Sequence, residues 1–221
     1  MAKRGSASFA SLEPLAKRVF NSVAQSGDKA ISKYTEKFDN VKLEDFSVSK
    51  KEIEQAIGRV PNKLKNAINQ AKDNIFRFHS AQKTNEVSVE TQKGVNCWQK
   101  KLPIEKVGLY VPGGSAPLFS TILMLAIPAQ VAGCSEVVLC SPPKSNGHLS
   151  DVILYTANLC GVDNIFKVGG IQAIAGMTIG TKTLPKVDKL FGPGNQYVTV
   201  AKQIATQYQV CLLYTSPSPR D

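Results

Sequence analysis

No apolar run in this 221-residue chain approaches the roughly 18 residues a membrane-spanning helix needs, and the first twenty residues lack the continuous apolar core of a signal peptide. A cytoplasmic protein with no membrane partner is therefore expected. Cysteine is sparse and unpatterned. Cys97, Cys134, Cys140, Cys160 and Cys211 are odd in number, form no CxxC pair and join no Cys/His cluster. This argues against a zinc knuckle or a disulfide framework and points to buried, reduced thiols. His79 and His148 are the two histidines, and with no HxxxH spacing neither is assigned to a metal. Blocks of a single charge are missing as well. The net charge of +10 comes from 27 Lys+Arg against 17 Asp+Glu, and residues 1–110 carry 20 basic and 12 acidic side chains of that total. Those charges are interleaved along helical patterns, without clustered aromatics, which describes a solvated basic face and no nucleic-acid partner.

What is present is the composition of a globular chain, 43% hydrophobic with 16 Gly and 12 Pro. Residues 11–83 read as helices. Leu15, Val19 and Val23 share a stripe; Ser26-Gly27-Asp28 interrupts it and restarts a helix through Tyr34 and Phe38; Ser49 can cap the segment with Ile53 and Ile57. Pro61 opens a longer helix with Leu64, Ala67, Ile68, Ala71, Ile75 and Phe78 on one face. Residues 87–99 alternate as a strand or hairpin, with Trp98 near the end.

The second half has a different grammar. Four apolar runs, VGLYV (107–111), EVVLC (136–140), NIFKV (164–168) and DKLF (188–191), are each followed by a turn, PGGS, SPPK, GGIQ and GPGN, and then by a helical segment (118–131, 149–159, 173–179 and 197–205). Four β-turn-α units in series predict an α/β fold: a Rossmann-like parallel sheet with flanking helices. Residues 107–210 form that domain, and residues 1–106 are the mainly helical N-terminal part, plus hairpin, of an incomplete second domain. The last eleven residues, CLLYTSPSPRD, continue neither the period nor the composition of the helix before them. A codon choice exists for all eleven that reads in frame as a transposase adapter used in sequencing libraries, so 211–221 is expected to be an artefact and the chain a fragment.

All four turns fall on the carboxyl edge of such a sheet, where ligands bind beside helix N-termini that favour anions. The spacing alone specifies a ligand of nucleotide type and nothing finer, because GPGNQY (192–197) lacks the third glycine of a dinucleotide fingerprint. A stand-alone nucleotide-binding module without redox chemistry stays open on this ground. The glycines of these turns (113, 114, 169, 170, 192 and 194) are expected to allow positive φ or close backbone approach.

Longer strings carry more. VGLYVPGGSAPLFSTILMLAIPAQVAGCSEVVLCSPP (107–143), FKVGGIQAIAGM (166–177) and KVDKLFGPGNQYVTVAK (186–202) resemble the histidinol dehydrogenase family, as do GDKAISKYTEKFD (27–39) and FHSAQK (78–83). KSNGHLSD (144–151) departs from the pattern by looking a few residues longer. The resemblance implies an NAD-dependent, zinc-requiring enzyme that oxidises L-histidinol through the aldehyde to L-histidine, working as a homodimer. It implies cofactor contacts at Tyr110, Gln172 and Asn195. Each has a structural alternative: Tyr110 as a strand-end core residue, Gln172 as a helix cap, Asn195 as a turn or cap residue. The family's zinc ligands and acid/base pair belong to a C-terminal half absent from this sequence, so no catalytic residue and no metal ligand is assigned here, and the fragment is expected to be inactive alone.

Overall fold

The computed structural model describes residues 9–113, 118–208 and 210–212. Helix α1 (Phe9–Ser26) buries Ala16, Val19, Phe20 and Val23 along one stripe, and α2 (Asp28–Asp39) restarts after Gly27. Helix α3 (Lys50–Arg59) opens with a complete capping box. Ser49 Oγ accepts from the Glu52 N–H at 3.2 Å, and the Glu52 carboxylate accepts from the Ser49 N–H at 2.9 Å. Helix α4 (Asn62–Ala81) follows Pro61. Strands β1 (Val87–Gln92) and β2 (Val95–Gln99) pair as an antiparallel hairpin exposed along its whole length.

From there the four units appear in order: β3 (Lys106–Tyr110), α5 (Phe119–Ala132), β4 (Glu136–Ser141), α6 (Asp151–Leu159), β5 (Asn164–Lys167), α7 (Gly170–Ile179), β6 (Lys189–Phe191) and α8 (Gln196–Ala205). Helix α7 starts three residues earlier than the sequence pattern suggested. The sheet is parallel, in the order β5-β4-β3-β6-β7, where β7 (Cys211–Leu212) pairs with β6. The sheet therefore runs two residues past Val210; residues 213–221 lie outside the described ones.

Side chains alternate across the sheet and seed two cores. From β3, Tyr110 joins Val138, Cys140 and Val168 under α1, α2, α7 and α8, whereas Val107, Leu109 and Val111 join Leu139 and Ile165 under α3 to α6. Helices α1 to α4 are thus built into the layers that cover the α/β sheet, and both cores draw on residues before and after position 107. The edge strand β5 is closed off by residues 46–48: the Val48 N–H donates to the Ile165 carbonyl and the Lys167 N–H to the Phe46 carbonyl.

Two expectations need correction. Phe78 is 63% exposed, and Ala67 is exposed as well, leaving Ile68 as the fully buried residue of α4. At 1.5 Å per residue the 20-residue α4 is about 30 Å long, its partner α5 with 14 residues only about 21 Å, so the apolar stripe overhangs its support. Cys97 is not a buried thiol: it sits on the exposed hairpin, whereas Cys140 and Cys160 are buried as expected. Among the described residues no helix is long and apolar enough to cross a membrane.

Candidate cofactor cleft

Strand order fixes where a ligand can sit. The chain leaves β3 toward β4 and β5 on one side, then crosses back to β6 on the other, so the turns after β3 and β6 diverge at the sheet's carboxyl edge. A cleft of about 510 Å³ opens there. Tyr110, Pro112 and Gly113 come from the end of β3, Pro142 from the end of β4, Gly170 and Ile171 from the start of α7, and Asn195 and Tyr197 from the start of α8. Leu15 of α1 and Phe38 and Asp39 of α2 close the remaining wall.

Tight backbone contacts hold these turns together. Gly192 has φ +126°, and a Cβ there would stand 2.0 Å from the Tyr110 carbonyl oxygen, so only glycine lets the turn after β6 pass beneath the end of β3. Lys202 of α8 donates to the Gly192 carbonyl, and burial lowers its pKa. Of the other turn glycines, Gly170 has a positive φ, and Gly113, Gly169 and Gly194 leave no room for a Cβ; Gly114 lies outside the described residues.

The three residues singled out by sequence fall at this edge in different roles. Tyr110 is 4% exposed, a strand-end core residue whose hydroxyl edge reaches the cleft; its Oη accepts from the Gly170 N–H at 3.1 Å and so pins the start of α7. Burial pushes that hydroxyl up to about 12. Asn195 is the N-cap of α8, its Oδ1 accepting from the N–H groups of Tyr197 and Val198 at 3.1 Å each, and it also lines the cleft. Gln172 is not a helix cap. It is fully buried in α7, its Nε2 donates to Asp39 Oδ2 at 3.0 Å, and its Oε1 has no partner among the described residues. That oxygen lies 3.1 Å from the position a Cβ on Gly170 would take, beneath the cleft floor.

Asp39 is the site residue that sequence reasoning missed. Burial raises its carboxyl to about 6, with the Gln172 hydrogen bond pulling the other way. One local signal was available: an acid as the last residue of α2 stands at the negative end of the helix dipole, where acids are disfavoured. His79 and His148 stay out of the cleft: His79 Nδ1 is 2.8 Å from Gln82 Oε1, and His148 faces Glu52 in a separate surface pocket with Arg59, Lys144 and Asp151. Among the described residues no group of three His, Cys, Asp or Glu side chains could hold a metal ion.

A family profile described as histidinol dehydrogenase matches residues 2–215. The histidinol dehydrogenase of Bacteroides thetaiotaomicron is 52% identical over 210 residues, which is 95% of this chain and 49% of that protein. The one from Mannheimia succiniciproducens is 57% identical over 185 residues, 84% of this chain and 42% of its relative. The crystal structure of histidinol dehydrogenase from Elizabethkingia anophelis superposes with a TM-score of 0.90 at 52% identity, covering 93% of this chain and 48% of that one. The chain spans about half the length of the curated relatives it matches. It belongs to the histidinol dehydrogenase family.

Proposed function

We propose that this chain supplies the cofactor-binding part of an NAD-dependent enzyme that oxidises L-histidinol through the aldehyde to L-histidine. The observation that carries the reading is the cleft at the strand-order reversal, lined by Tyr110 and Asn195, with the Gln172 amide oxygen buried next to Gly170 of its lining and without a partner among the described residues. Among the described residues the Gln172 Oε1 is one of two buried side-chain oxygens without a partner, the other being Thr35 Oγ1 away from the cleft lining. An unpaired carbonyl oxygen is an acceptor in want of a donor, and a dinucleotide offers ribose hydroxyls and a carboxamide N–H. Bound NAD would supply the hydride acceptor for both oxidations.

The chain's own residues bind and orient. The starts of α7 and α8 turn the positive ends of their helix dipoles toward the same edge, which suits a pyrophosphate, while the Gly170, Tyr197 and Val198 N–H groups are already held by Tyr110 and Asn195. Tyr110 fixes the first of these helices and Asn195 caps the second, while Pro112 and Pro142 wall off water. The described residues do not form a zinc site, and no step is assigned to that metal.

Titrating NAD into the chain by calorimetry tests the reading. Tyr110→Ala and Gln172→Ala are expected to weaken binding by about tenfold or more, on the scale of one lost hydrogen bond or stacking contact. Failure of the wild-type chain to bind NAD at millimolar concentration would sink it. Supplied with histidinol, NAD and zinc, the chain is expected to bind without turnover; sustained growth of NADH absorbance overturns that binding-only role.

A further inference from the structure

Asp39 and Gln172 are 133 residues apart in sequence, yet the Asp39 carboxylate, which lines the cleft, meets the fully buried Gln172 amide, and neither Tyr110 nor Asn195 accounts for the contact. An amide has two ends of similar shape, a donor NH₂ and an acceptor oxygen, and its usefulness to a ligand depends on which end is presented. An ionised carboxylate can only accept. It therefore holds Nε2 toward itself and turns Oε1 away, and in this structure Oε1 lies under Gly170 with no partner among the described residues.

We propose that Asp39 is a positioning residue of the cleft: its carboxylate locks the Gln172 amide so that Oε1 is offered to a hydroxyl or carboxamide N–H of the bound dinucleotide. This rests on the cofactor reading above and adds a residue to it. The lock has a built-in condition. A protonated carboxyl both donates and accepts, so it satisfies the amide in either orientation and the preference disappears. Around Asp39 stand Gln172 from α7, Leu15 from α1 and Tyr110 from β3. Of these Tyr110 is titratable, and with its hydroxyl at about 12 it carries no charge where Asp39, at about 6, changes state. The position of Asp39 fits a functional origin, since its charge is unfavourable both for the end of α2 and for a half-buried site.

The experiment is NAD affinity by calorimetry across pH 5–8 for the wild-type chain, Asp39→Asn and Gln172→Ala. Asn at position 39 keeps the size but can accept or donate, so it removes the lock with little change in volume. Two equally satisfied orientations leave half the molecules competent, so wild-type affinity is expected to fall about twofold as pH drops through 6, and Asp39→Asn to be about twofold weaker than wild type at pH 7.5 and flat across the range. Gln172→Ala is expected to be weak and flat. Asp39→Asn with wild-type affinity and a wild-type pH profile overturns the inference while leaving the cofactor reading intact. Weaker binding that keeps the wild-type pH profile also overturns it, because general structural damage gives that result. A wild-type chain that binds no NAD at any pH removes the cofactor reading, and the inference with it.

Discussion

Gly192→Ala is the most demanding test of how the cleft is built. The residue sits at φ +126°, a conformation that costs a non-glycine residue about 1–3 kcal/mol. A Cβ would also stand 2.0 Å from the Tyr110 carbonyl oxygen and 2.9 Å from its carbon, so the two backbones must part by about 1.4 Å to restore ordinary contact. That movement strains the three-pair ladder between β3 and β6, and each ladder hydrogen bond lost costs about 1 kcal/mol. The sum is about 3–5 kcal/mol, or a Tm lowered by about 6–20 °C for a chain of this size. Gly94, in the hairpin turn, separates strain from collision. It has φ +82° with nothing within 4 Å of its would-be Cβ, so Gly94→Ala should cost only about 1–2 kcal/mol. Urea and thermal unfolding of both variants, followed by circular dichroism, measure the difference. If Gly192→Ala is no more destabilising than Gly94→Ala, the close passage of the two turns is not what holds the cleft together.

Three further outcomes follow from the same reasoning. Because the folded-state pKa of Asp39 lies above its ordinary value of 3.8, the folded chain takes up protons preferentially and gains stability as pH falls from about 7 to 4.5. Discounted for its solvent-facing side, the gain is about 1 kcal/mol, and urea midpoints of Asp39→Asn should be flat over that window. Glu52 works in the opposite sense below it: although burial opposes ionisation, Ser49 and Lys167 together hold it down to about 2, so its contribution is lost as pH falls through 4.5 toward 2. Lys167→Met leaves the Glu52 carboxylate without a cation 3.2 Å away and should cost about 1–2 kcal/mol, largely restored by adding Glu52→Gln; additive single and double mutants refute the coupling. Phe20→Ala, in the core under α1, should cost about 3–5 kcal/mol in denaturant unfolding, against under about 0.5 for Phe78→Ala on the overhang of α4. Equal effects would show that the two rings are not buried as described.

The β-turn-α units were legible because each carries its own punctuation: an apolar run of strand length, a Gly or Pro turn, then a helical period. The observed strands start within a residue of those runs, and Ser49 caps α3 as expected, with Glu52 completing a capping box that sequence reasoning had not named. The edge that holds the cleft followed from geometry alone, since all turns after parallel strands share one side. Other features were hidden for physical reasons. Periodicity shows which face of α4 is apolar but not whether a neighbour reaches far enough to cover it, hence Phe78. Alternation shows a hairpin but not whether either of its faces is buried, hence Cys97. Asp39 was missed as a site residue because its one local signal, an acid at the end of α2, says nothing of the contact it makes 133 residues away.

The packing of α1 has a consequence for synthesis. Its buried stripe of Ala16, Val19, Phe20 and Val23 is covered by α7 and α8, and α7 begins only at Gly170, 144 residues after α1 ends at Ser26. At about 5–20 residues per second a ribosome needs roughly 7–30 s to make that stretch. For most of that interval α1 is outside the exit tunnel with α2 made but α7 and α8 not, so among the described helices its apolar face waits longest for full cover. Nascent-chain handling by chaperones should therefore concentrate on the opening residues rather than on the more apolar α5, which meets β3 and α4 as it emerges.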